Sequence, residues 1–210
     1  MKIVKLKIEN CKGGYTIIET MIAISLFLVI IMAGMGALLN ANLLHQKSQN
    51  MRSIIDNLSF IMEDMSRNLR TGSKYYCITG ADNLSNVSTA KSGPSCWGVA
   101  FESSGTPANQ VADQNNQWVY YIDNFGKIFK ATQGPYAAAS FVQLTPEEIV
   151  ITGQVAGVQV SGFSVLGAES VATNSQQPFV TIRLVGKITF KDVVTPFSLQ
   201  TSVSQRLVDI

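Results

Sequence analysis

The chain has 210 residues, enough for one ordinary domain and an accessory element. Its charged fraction is low, at 14%, and its formal net charge of +2 is unevenly spread. Lys2, Lys5, Lys7 and Lys12 against Glu9 place +3 on the first fourteen residues, so the remainder holds 12 basic and 13 acidic side chains, or −1. A basic surface that could bind nucleic acid is therefore excluded from most of the chain, and we predict no nucleic-acid partner.

An uncharged segment follows this basic start. Residues 20–44 have no Asp, Glu, Lys or Arg and are mostly aliphatic. Within them, residues 20–39 would form a helix about 30 Å long, the thickness of a bilayer core. Because lysines cluster before the run, we expect a single-pass protein of the cytoplasmic (inner) membrane, with its N-terminus in the cytoplasm and the following domain outside.

The residues at the junction form a short motif, Lys-Gly-Gly-Tyr-Thr-Ile-Ile-Glu at positions 12–19. A basic leader ends in Gly14, the aromatic Tyr15 follows, and Glu19 is the fifth residue from Tyr15. This motif resembles the signal of type IV prepilins and type II secretion pseudopilins, although Phe is more usual there at the position of Tyr15. The resemblance implies a leader at 1–14, cleavage between Gly14 and Tyr15 by a prepilin peptidase, and N-methylation of Tyr15.

Glu19 has two interpretations. A carboxylate in a membrane helix is unfavourable by several kcal/mol unless it is neutralised or paired. The resemblance implies that Glu19 pairs with the Tyr15 amine of a neighbouring subunit and so directs filament assembly. The alternative is a first-turn acid at the membrane interface, favoured by the helix dipole.

The helix is predicted to continue beyond the apolar segment. Residues 15–44 would form the transmembrane or filament-core part, and 45–72 an amphipathic continuation whose apolar residues recur at steps of three and four. Gly72 supplies a stop. Gly34 and Gly36 within the apolar half leave two possibilities open: a breaker that becomes extended in a filament, or close packing between helices.

Residues 73–210 are predicted to form an exported, β-rich head. Strands are expected at 75–78, 97–101, 118–122, 128–130, 158–165, 179–190 and 197–203, with a hairpin turn at 123–126 and a one-turn helix start at 145–148. The fold class is therefore α+β, a long N-terminal helix packed on an antiparallel sheet, as the pilin resemblance also implies.

The cysteines and the aromatic residues of the head each allow two interpretations. Cys77 and Cys96 could close a disulfide in an exported domain, or remain two unrelated thiols. The aromatic residues could form a binding surface, although core packing is favoured; they are Tyr75, Tyr76, Trp97, Trp118, Tyr120 and Tyr121.

A catalytic site is not predicted. The sole histidine, His45, lies just past the apolar segment, so the head has no His base to activate a Ser or Cys nucleophile. One His and two head cysteines exclude the usual zinc sites, and we expect no metal and no cofactor. Asp113, Asp123 and Asn124 lack the spacing of an EF-hand and are better read as turn residues.

These features together predict a structural subunit of a type IV pilus-like or type II secretion filament, and not an enzyme. Its expected partners are the prepilin peptidase, other pilin or pseudopilin subunits, the inner-membrane assembly machinery and the membrane itself. The ending at 197–206 resembles the minor pseudopilin J and the pilus protein W, which favours a minor subunit over a major one. The rival is a bitopic membrane protein with an exported ligand-binding head.

Overall fold

A computed structural model describes residues 13–80, 82, 89–103, 116–134, 140–169, 176–190 and 193–206. The predicted leader therefore lies outside the described residues except for Gly13 and Gly14, as does Asp113. The chain divides into two compact units, Met1–Ser48 and Gln49–Ile210. The described residues contain one helix, α1, which spans Ile17–Thr71. Twelve strands follow it within the same residues: β1 Ser73–Ile78, β2 Gly93–Cys96, β3 Gly98–Glu102, β4 Gln117–Ile122, β5 Ile128–Ala131, β6 Val142–Gln143, β7 Ile149–Ile151, β8 Gln154–Val155, β9 Val158–Gln159, β10 Gly162–Leu166, β11 Phe179–Phe190 and β12 Val193–Ser204.

Both ends of α1 are fixed by local hydrogen bonds. At the start, the Glu19 amide donates to Thr16 Oγ1 at 3.4 Å and the Thr20 amide to the Thr16 carbonyl at 3.2 Å, so Thr16 is the N-cap. At the end, the Gly72 amide donates to the Asn68 carbonyl at 3.0 Å. A side chain at Gly72 would collide with the Phe101 ring, so a glycine lets the chain turn directly from helix into β1.

The second half of α1 buries one face, as its sequence period predicts. Its buried residues fall at steps of three and four along the helix: Ile54, Leu58, Ile61, Met62, Met65 and Leu69. Ile55, predicted on the same face, is instead 42% exposed.

Most strands in the described part of the head belong to two five-stranded antiparallel sheets. Sheet A has the order β1-β3-β4-β5-β6, and sheet B has the order β12-β11-β10-β2 with β7 also paired to β11. β11 and β12 pair over their whole lengths, from Phe179 opposite Ser204 to Phe190 opposite Val193. A separate two-stranded ribbon joins β8 and β9.

One core cluster unites the helix face with both sheets. It includes Leu58 and Met65 from α1, Tyr120 from sheet A, and Ile182 and Leu184 from sheet B, all nearly inaccessible to solvent. The predicted alternation along β11 is confirmed, since Val180, Ile182 and Leu184 are buried between more exposed neighbours. The α+β fold, a long helix packed on antiparallel sheet, is thus confirmed.

Two local predictions are wrong. Residues 145–148 form a turn rather than a helix start, because Thr145 Oγ1 accepts the Ile128 amide at 3.1 Å instead of capping a helix. The strand expected at 158–165 is interrupted, because Ser161 Oγ turns aside to bond the amide and carbonyl of Val185 at 2.8 and 2.9 Å. Two strands, β9 and β10, lie on either side of that interruption.

The aromatic residues serve mainly as core. Tyr75, Tyr76 and Tyr120 are buried, and the two tryptophans and Tyr121 are half-buried. Tyr121 stacks on Phe129 with 5.3 Å between ring centroids, and Trp97 meets Tyr121 edge-on at 5.7 Å. Packing within the head therefore accounts for these rings.

Candidate functional site

The predicted cleavage point lies in a short irregular segment before α1. Residues 13–16 have no regular secondary structure, and the helix begins at Ile17. Tyr15 is 81% exposed, and a side chain built at Gly14 would meet no other atom within 4 Å. A glycine beside the bond and the absence of crowding would allow this segment to enter a peptidase cleft.

Glu19 lies in the first turn of α1, four residues after Tyr15. Its amide is used by the Thr16 cap, and its side chain is exposed. Within the described residues its carboxylate has no hydrogen bond or ion pair. The helix dipole favours an acid at this end, but it leaves the carboxylate able to accept a partner.

The first half of α1 presents apolar side chains on every side. Residues 16–50 are exposed around the whole helix, apart from the half-buried Ile31. By length and composition this helix is able to cross a membrane, and none of its most apolar stretch is buried. A helix that is hydrophobic on all sides is normally surrounded by lipid or by other protein segments and not by water.

The disulfide joins the two sheets of the head. Cys77 in β1 and Cys96 in β2 are bonded, with 5.4 Å between their Cα atoms, and both are fully buried. β1 belongs to sheet A and β2 to sheet B, so the bond ties one sheet to the other. The predicted pairing is confirmed, and its role as a staple between sheets was not foreseen.

A polar cluster attaches α1 to sheet A. Asp64 Oδ2 accepts from Lys130 Nζ and from the Tyr120 hydroxyl, both at 3.0 Å. Asn68 Nδ2 donates to Asp64 Oδ1 at 3.0 Å and to the Tyr120 hydroxyl at 2.8 Å. Burial alone would raise the pKa of Asp64, but the hydrogen bonds from Lys130 and Tyr120 and the Lys130 charge outweigh it, and the pKa is lowered.

This cluster was not predicted from the sequence, because its members are 4 to 66 residues apart and lie on three elements. The available signal was Asp64 between the apolar Met62 and Met65, a charge at the margin of the buried helix face. Lys130 also lies over the Trp118 ring, 4.6 Å from its centroid, which fixes the ammonium in place. The arrangement is structural, since the carboxylate is already paired.

A small cleft lies beside this cluster. It has a volume of about 130 Å³ and is lined by Asn68, Thr71, Phe101, Ser103 and Trp118. Pockets for small molecules are usually larger, roughly 300–1,000 Å³. In the described part of the chain, no group of three or more His, Cys, Asp or Glu side chains is placed to hold a metal ion. The absence of an enzymatic activity and of a cofactor stays a prediction.

No family model, curated protein or solved structure matches this chain.

Proposed function

We propose that this chain is a pilin-like structural subunit, and specifically a minor one, of a type IV pilus-like or type II secretion filament. The observation that supports it is the order of features along the chain: Gly14 and Tyr15 just before α1, Glu19 in its first turn, and then a helix that is first apolar on all sides and later amphipathic. The α+β head built on the second half of that helix agrees with the architecture that the resemblance implies.

The proposed processing step is hydrolysis of the bond between Gly14 and Tyr15. A prepilin peptidase at the cytoplasmic face would release the basic leader and leave Tyr15 with a free amine, which is then N-methylated. The apolar helix would keep the product in the inner membrane, with the head in the periplasm or outside the cell. This order fits the position of the lysines before the apolar segment.

The proposed assembly step uses the charge of Glu19. In a bilayer, an unpaired carboxylate one turn into the helix is unfavourable. The amine on Tyr15 of a neighbouring subunit would supply a charge-assisted hydrogen bond that is present only between subunits. Assembly would thereby remove the free-energy cost of an unpaired Glu19 carboxylate in the bilayer. A subunit that docks out of register would leave its Glu19 unpaired.

The cleavage can be tested by mass spectrometry of the N-terminus in cells that contain a prepilin peptidase. Wild-type protein should begin at N-methylated Tyr15. Gly14→Val places a branched side chain at the scissile bond and should accumulate as precursor, whereas Gly13→Val, one residue earlier, should be processed far better. An intact N-terminus in the wild-type protein would reject the proposal and favour the bitopic membrane protein.

Filament assembly needs a separate measurement. Glu19→Leu and Glu19→Gln should both be cleaved and stay in the membrane but be depleted from sheared filaments, since both lack the charge. Glu19→Asp, which keeps the charge on a shorter side chain, should recover part of the incorporation. Normal incorporation of Glu19→Leu would leave Glu19 as a helix-start acid only.

A further inference from the structure

One sheet edge in the head differs from the others. β12 ends sheet B, has β11 as its neighbour on one side, and is twelve residues long. The other edge strands of the two large sheets are β6 with two residues, β7 with three, β2 with four and β1 with six. β1 is also bridged to Lys91. β12 is therefore the longest open edge in the described part of the head.

The backbone groups on the open side of β12 can be assigned from register. Residues in an antiparallel pair alternate between bonding their partner strand and facing away from it. The Gln205 amide donates to the Pro178 carbonyl at 3.0 Å, so odd-numbered residues bond toward β11. Pro196, which has no N–H, belongs to the other set, as expected for a proline on an edge. Beyond Pro196, the residues whose backbone N–H and C=O groups point away from β11 are Ser198, Gln200, Ser202 and Ser204.

The open stretch has defined ends. Pro196 interrupts it on one side, and on the other the Arg206 amide donates to the Arg70 carbonyl at the end of α1, at 2.8 Å. Residues 198–204 lie between these limits. Because each outward residue can exchange two backbone hydrogen bonds with an antiparallel strand, an added strand would gain about eight.

The β12 edge is itself uncharged, whereas the neighbouring strand β11 carries positive charge. β12 contains no charged residue, although charged side chains are a common means of blocking an edge. The only charged residues of β11 are Arg183 opposite Gln200 and Lys187 opposite Pro196. Both are exposed, and within the described residues neither makes an ion pair. The edge therefore lies beside unpaired positive charge.

We infer that the β12 edge is a docking site for an extended segment of another protein, about seven residues long and with carboxylates on its solvent side, which joins sheet B as an additional strand. Backbone hydrogen bonds supply the affinity, and attraction to Arg183 and Lys187 selects an acidic segment. A second copy of the chain fits less well, since its own β12 brings no carboxylate and its β11 brings two more cations.

The test uses the full-length protein in detergent micelles and a fluorescent seven-residue probe peptide that alternates Val and Glu. A matched peptide has Lys in place of Glu. Fluorescence anisotropy should show that the Glu peptide binds more tightly than the Lys peptide. Gln200→Pro removes an outward N–H without removing a bond to β11, and should weaken binding about tenfold or more. Gln200→Ala keeps that N–H and should bind like the wild type.

Arg183→Glu should reverse the preference between the two peptides. Thermal unfolding of each variant checks that the head is intact, and Ser202→Pro replaces Gln200→Pro if the latter lowers the melting temperature. Equal binding to wild-type and edge-proline proteins would overturn the inference, as would no binding of either peptide. A wild-type dimer that the edge proline converts to monomer would assign the edge to a second copy instead. None of these readouts depends on cleavage or filament assembly.

Discussion

Removal of the disulfide should measure how strongly the two sheets depend on their staple. Cys77 and Cys96 are separated by 19 residues, and a loop of this length corresponds to about 3 kcal/mol in the chain-entropy model. For a unit of the size of Gln49–Ile210, 1 kcal/mol shifts the melting temperature by about 2–4 °C. The double variant Cys77→Ala, Cys96→Ala should therefore melt about 6–12 °C lower, and somewhat more from lost packing, since both side chains are fully buried.

Tryptophan fluorescence provides a selective assay. Both tryptophans, Trp97 and Trp118, lie in the head, so their emission follows unfolding of the sheets and not of the apolar helix. Wild-type protein unfolded and refolded in reductant should resemble the double variant, and Cys11→Ser should change nothing. A melting temperature within 2 °C of wild type for both the double variant and the reduced protein would refute the reasoning.

Three further changes test the head. Lys127→Met should destabilise the head by about 3 kcal/mol, because Lys127 Nζ donates to the carbonyls of Pro146, Glu147 and Ile149 at 2.9–3.1 Å. The control is Lys187→Met at an exposed position, and equal urea midpoints for the two variants would contradict this prediction. Gly126→Ala should lower the stability of the head by about 2 kcal/mol or more, because Gly126 has a φ of 75° and an added Cβ would collide with the Ile151 backbone. Gly153→Ala is the control, since an added Cβ there meets open space. Similar melting temperatures for the two variants would contradict this prediction. The pKa of Asp64 is lowered, so its carboxylate stabilises the head above about pH 4 and loses this effect as the pH falls through its folded-state pKa. The melting temperature of Asp64→Asn should therefore fall less steeply on acidification than that of the wild type. Parallel falls in the two proteins would count against this prediction.

Periodic features were predictable from sequence because one element alone determines them. The amphipathic half of α1 and the alternation along β11 follow from local spacing, and the structure has both. The disulfide was one of two open possibilities, and its partners lie close in sequence.

Features that depend on distant residues were not predictable. β2 reads Gly-Pro-Ser-Cys, which has little strand propensity, yet it pairs with β10 and is held by the Cys96 disulfide. Thr145 has the local pattern of a helix cap, but its hydroxyl accepts a hydrogen bond from the Ile128 amide in β5, 17 residues away. In both cases a tertiary contact outweighs the local preference.

The two halves of α1 have opposite energetic needs, and this difference bears most directly on function. Between residue 15, just before α1, and residue 44, seventeen large apolar side chains are exposed. At roughly 1.5–3 kcal/mol each, their burial elsewhere is worth about 25–50 kcal/mol, more than the net stability of a typical domain, about 5–15 kcal/mol. A lipid bilayer would cover these side chains but would leave the Glu19 carboxylate unpaired, whereas a bundle of neighbouring helices with free N-terminal amines could do both. The contrast between Glu19→Leu and Glu19→Asp therefore separates a permanent anchor from a helix that leaves the membrane for a filament.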